Sequence, residues 1–184
     1  MNVSHSRISV RDMVLTALFA AVLCAAAPFS IEIGPIPLTL ATLVIYLAAG
    51  ILGWKRGVIA VLIYVALGAI GLPVFSRFEG GFHKVAGVTG GFIIGYIPCA
   101  LAAGFFVDIF RGKIWSFVLG MVIGTVLLYT CGTVWFMFQT GSTLVLSLAL
   151  CVTPFLFGDA LKIVLATIIA PQLRKALTRV SQRV

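Results

Sequence analysis

The sequence is a succession of apolar runs separated by short polar or basic breaks, and few folds accommodate that pattern. The runs lie at about 11–28, 38–53, 57–72, 90–110, 114–138 and 154–173. With 61% hydrophobic and 10% charged residues in 184, the chain lacks the polar surface of a water-soluble domain. These runs predict an all-α membrane protein, with six transmembrane helices in one bundle and a single domain over 1–184.

The breaks set the expected orientation. Arg7, Arg11, Lys55, Arg56, Arg111, Lys113, Arg174, Lys175, Arg179 and Arg183 fall on one side of a six-span topology, whereas Arg77 and Lys84 fall on the other. The positive-inside rule then puts both termini in the cytoplasm. The formal charge of +8 is thereby a matter of topology, and nucleic acid is not an expected partner. Cys24, Cys99, Cys131 and Cys151 sit inside apolar runs without CxxC spacing, which argues against a disulfide framework or a metal site. The first run has no evident A-x-A cleavage site and is read as a retained span.

Against this background, the last run carries an aspartate and a lysine in PFLFGDALKIVLATIIA. A charge at mid-helix depth in a bilayer costs roughly 2.5–3.5 kcal/mol even on lenient scales, so Asp159 and Lys162 must face protein or water. Their i,i+3 spacing puts both on one face, continued by Phe155, Ala166 and Ile169, with Pro154 in the first turn. Two readings follow. Either the pair ties helices together, which rarely improves on apolar packing, or it meets a polar solute. In the second case Asp159 accepts from ligand N–H groups and Lys162 donates to a carbonyl or carboxylate.

Other segments converge on the same side. SIEIGPIP, with Gly34, Pro35 and Pro37, cannot be helical throughout, and Thr39 and Thr42 open the second run. Pro73–Thr89 mixes glycines, aromatics, Arg77, Glu79 and Lys84. It reads as an ordered loop able to cover a cavity mouth, or as an interfacial loop. Gly91/Gly95 and Gly120/Gly124 have GxxxG spacing and predict close helix packing. Ala17, Ala21 and Ala25 form a face of small side chains on the first helix, suited to internal packing or to a docked subunit.

Enzyme chemistry lacks its parts. An intramembrane aspartyl protease needs a second deep carboxylate, and Asp108 and Glu32 lie at run ends. The histidines, His5 and His83, lie in a tail and a loop, and no GxxxxGK[ST] is present for ATP. No catalytic residue, metal or catalytic cofactor is expected.

IGPIPLTLATL, GAIGLPVF, GVTGGFIIGY, CGTVWF and PFLFGDALKIVLA, in this order over nearly the whole chain, resemble the BioY family. Its members are biotin-specific substrate-binding (S) components of energy-coupling factor (ECF) transporters. The resemblance implies six helices around a vitamin site near the external surface of a bacterial plasma membrane. It implies two ATPase subunits and a membrane coupling subunit as partners. It also implies that Asp159 and Lys162 contact biotin, that Gly90, Gly91 and Tyr96 approach it, and that Pro37, Leu38, Thr39 and Thr42 line or lid the pocket. Arg77 and Glu79 either reach the valerate end or face water. The Ala17, Ala21, Ala25 face resembles the AxxxA surface that engages the coupling subunit. The chain has Val88 where the family often has proline, and Ala41 where it often has glutamine. The alternatives are an S component for thiamin or riboflavin, or a non-transport membrane scaffold.

Overall fold

A computed structural model describes residues 9–32 and 34–181; Arg7, Arg183 and His5 lie outside them. Helix α1 spans Val10–Ala26, and Pro28 then diverts the chain into an antiparallel hairpin of β1 (Ser30–Glu32) and β2 (Pro37–Thr39). The register Ser30↔Thr39, Ile31↔Leu38, Glu32↔Pro37 puts the Gly34–Pro35 breakers at its tip. Helix α2 therefore begins at Ala41, three residues later than the apolar run suggests, because Pro37–Thr39 pairs as strand.

Ten of the twelve residues of α2 are buried, which makes it the central helix, packed against α1, α3, α5 and α8. A helix of twelve residues is only about 18 Å long, and the extended β2 continues its path toward the bundle surface. The turn to α3 (Trp54–Ala69) is a single residue, Gly53, at φ 85°. A Cβ there would fall 2.5 Å from Asp108 Oδ2, so glycine serves both the left-handed backbone and the close approach. The break at 54–56 between the second and third apolar runs is thus the first turn of α3.

The connection from 73 to 89 is ordered: a 3₁₀ turn over Ser76–Phe78, then the short α4 (Phe82–Ala86). Phe75 folds inward against Gly68, and Trp135 Nε1 and Gln139 Nε2 donate to Gly87 O and Ala86 O at 2.8 and 2.5 Å. Helices α5 (Gly90–Ile109) and α6 (Ile114–Thr140) form the most extensive helix pair, and their glycine motifs are the reason. Gly120 and Gly124 lie against Ala103 O and Cys99 O, and Gly91 against Trp135. The polar turn after α6 leads into α7 (Leu144–Cys151), and α8 spans Leu156–Ser181.

Helix α8 departs from expectation at three points. Pro154 lies in the turn before the helix and not in its first turn, and the helix continues through Pro171 to Ser181. Its inward stripe is Asp159, Lys162, Ala166 and Ala170, in line with Phe155 of the turn just before it; Ile169 faces outward, since the next step at helical pitch from 166 lands on 170. α5, α6 and the Leu156–Arg179 part of α8 are each long and apolar enough to cross a membrane. Large apolar side chains such as Leu62, Phe105, Val126 and Val164 cover the outer surface. On α1, Ala17, Ala21 and Ala25 face outward, while Thr16, Ala20 and Leu23 face the core.

Candidate functional site

Asp159 and Lys162 lie 4% and 7% exposed where α8 passes the start of α2. Lys162 Nζ donates to Asp159 Oδ1 at 2.8 Å, to Thr42 Oγ1 at 2.9 Å and to the Thr39 carbonyl at 2.8 Å, which uses all three ammonium protons. Thr42 passes its own proton to Asp159 Oδ1 at 3.2 Å, and Tyr129 on α6 donates to Oδ2 at 2.6 Å. The aspartate thus accepts three bonds of about four its lone pairs allow. Both charges are fully partnered, as burial in an apolar bundle demands.

The network forms one wall of a cavity that Tyr64, Phe75, Phe92, Ile93, Leu128 and Phe155 enclose. Tyr96 joins it, its hydroxyl 3.4 Å from Thr39 Oγ1, and Tyr64 and Phe75 meet edge to face at 5.5 Å. The cavity is tight, about 50 Å³, which holds a few water molecules and not a vitamin. On the far side of β2 lies an open trough of about 540 Å³ lined by Phe29, Ile31, Leu40, Arg77 and Phe78. The two spaces share Leu38, Thr39 and Lys162, so the hairpin strand is the partition between them.

The structure brings Asp159, Lys162, Thr39, Thr42 and Tyr96 together around this cavity. It does not bring Gly90 and Gly91 there: Cβ atoms on them would meet Val85 O and Trp135, so they serve the contacts of α5 with the preceding loop and with α6. Glu79 pairs with Lys84 at 2.5 Å, away from the cavity lining. Arg77 lies in the trough and pairs with Glu32 at 2.6 Å, its backbone at φ 66°. With Phe29 stacked edge-on against Phe78 at 5.4 Å, this pair holds the 73–81 segment to the β-hairpin. Sequence reasoning missed Tyr129, Tyr64 and Phe75. The one available signal was a phenol in the middle of an apolar run, since a buried Tyr hydroxyl needs a partner.

An acid and a base held side by side, walled by aromatic and aliphatic side chains inside an apolar helix bundle, define a small-solute binding protein of the membrane. The profile of the BioY family matches residues 1–179, and the chain belongs to that family. It is 34% identical to "Biotin transporter BioY" of Thermotoga maritima, over 90% of this chain and 97% of that one. It is 37% identical to "Probable biotin transporter BioY" of Pyrococcus horikoshii, over 89% and 96%. Its fold is similar to the crystal structure of the S-component for biotin from an ECF-type ABC transporter. That match has a TM-score of 0.84 and 29% identity, over 90% of this chain and 92% of that one.

Proposed function

We propose that this protein is the biotin-binding S component of an ECF-type vitamin transporter, with Asp159, Lys162, Tyr129, Tyr96, Thr39 and Thr42 as its polar contacts. The observation that carries the reading is the fully partnered Asp159–Lys162 pair forming one wall of an aromatic cavity. A ureido ring offers two N–H donors and one carbonyl acceptor. One N–H suits the single acceptor position left on Asp159, and the carbonyl suits Lys162. Since every Lys162 proton already has an acceptor, the ligand carbonyl takes the place of Thr39 O or Thr42 Oγ1 and no net charge is stranded.

Admission of a vitamin-sized solute requires more room than the cavity provides. The hairpin that carries the partition strand β2 is held from outside by the Arg77–Glu32 pair and the Phe29–Phe78 contact, which tie β1 and the residue before it to the Ser76–Phe78 turn. Outward swing of the hairpin merges cavity and trough, and its return buries the ligand.

The wider arrangement in this reading is a single domain of six spans in a bacterial plasma membrane, both termini cytoplasmic, with the site toward the external face. The distribution of Lys and Arg supports this orientation. The outward Ala17, Ala21, Ala25 face docks a membrane coupling subunit, and two ATPase subunits supply the energy. Titrating the purified protein with biotin, thiamin and riboflavin by calorimetry tests the assignment. Saturable binding of biotin alone is expected; binding of neither biotin nor another vitamin would overturn it.

A further inference from the structure

At the end of the bundle where α1 begins and α8 finishes, one set of charges is closed upon itself. Asp108 accepts from Arg174 at 2.7 Å and from the Trp54 N–H at 3.1 Å, Arg174 also reaches Gly50 O at 3.1 Å, and Asp12 meets Arg56 at 3.0 Å. The chain has five acidic residues, and the other three, Glu32, Glu79 and Asp159, are paired elsewhere. Among the described residues no carboxylate pairs with Arg111, Lys175 or Arg179.

These three converge on one groove of about 320 Å³, between the α5–α6 turn and the last turns of α8. Its lining includes Phe117 and Pro171, Thr178 adds a hydroxyl, and Arg174, already held by Asp108, adds a fourth cation; among the described residues no carboxylate lines it. The positive-inside rule accounts for cations on this side and the α8 dipole for Arg179, but neither requires cations of two elements to meet over an apolar floor. Arg111 is moreover held in the left-handed region at φ 53°, where Gly or Asn is the ordinary choice, by the Gly112 N–H to Val107 O bond that closes α5. Trp115, half exposed and 4.4 Å from the Phe110 ring, marks the neighbouring surface as headgroup depth.

We propose that this groove binds the phosphate of an anionic lipid headgroup, with Arg111, Lys175 and Arg179 as its charged donors. The acyl chains then run along the apolar outer faces of α6 and α8.

The test is native mass spectrometry of the full chain released from vesicles of equal phosphatidylglycerol and phosphatidylcholine, with biotin binding as the folding control. Wild-type protein is expected to retain phosphatidylglycerol preferentially. The R111G/K175A/R179A variant should lose at least fivefold of that preference, and K55A/R56A, which removes charge from the same end but outside the groove, should keep it. Equal loss in both variants, or no preference in wild type, overturns the proposal. Inorganic phosphate binding to the groove with no lipid retained assigns it to a free anion and overturns the lipid reading.

Discussion

The Tyr129 hydroxyl lies 2.6 Å from Asp159 Oδ2, so the buried carboxylate of α8 is gripped from α6 as well as from α2. A hydrogen bond to a charged group contributes roughly 1.5–3 kcal/mol, and here it fixes the orientation of the Asp159 carboxylate. Tyr129→Phe is expected to weaken biotin binding by about tenfold while the protein stays folded. Calorimetric titration of the purified variant checks this, and an unchanged affinity would remove Tyr129 from the site.

Loss of one member of the central pair strands the other. Lys162→Met leaves Asp159 with two of its three donors and no counter-charge, at a cost on the order of 3–5 kcal/mol. The double variant D159L/K162M removes both charges and is expected to recover most of the thermal stability, yet to bind no biotin. Melting curves and titrations on the three proteins separate a stabilising ion pair from a recognition pair; a double variant that still bound biotin would decide for the former. The milder Asp159→Asn keeps an acceptor for Lys162 but removes its counter-charge, so it should weaken binding and lower the melting temperature by less than Lys162→Met does, with the protein still folded.

Gly91 faces α6 with no room for a side chain, a Cβ there lying 2.2 Å from Trp135 Cβ and 2.7 Å from Cys131 O. Gly91→Val is therefore expected to destabilise the bundle by about 1–3 kcal/mol, read as a lower melting temperature in detergent. Any fall in biotin affinity should follow the loss of folded protein, because the residue does not line the cavity.

The outward alanines give a different signature. Ala21→Trp adds bulk to an exposed face, so biotin binding and melting temperature should stay near wild type. Co-purification with the coupling subunit, and uptake of labelled biotin by cells, should be lost. Retained co-purification would reassign that face to lipid.

Much of this architecture was legible in the chain because membrane helices declare themselves by continuous apolarity, and because a charge inside such a run has few places to go. Asp159 and Lys162 stood out for that reason, whereas Thr39 and Thr42 were assigned to the pocket by the resemblance of IGPIPLTLATL to the family's segment. Pairing of 30–32 with 37–39 was not legible, since three-residue strands are too short to show periodicity. The placement of Gly90 and Gly91 was also hidden: glycine reads the same whether a ligand, a loop carbonyl or an indole occupies the space beside it. Arg77 and Glu79 looked free because their partners, Glu32 and Lys84, are set by the hairpin and by α4, elements that apolar patterning does not reveal.

Helices α2 and α8 are joined twice, by Thr42 with the Asp159–Lys162 pair near one surface and by Arg174 to Gly50 O near the other. The rivets on α8 are twelve residues apart, about 18 Å. A guest molecule that takes the place of Thr42 at Lys162 leaves only the Thr42–Asp159 bond in the upper rivet, while the lower one stays fast. Of the two ends of the α2–α8 seam, only the one beside the cavity has polar ties within a ligand's reach.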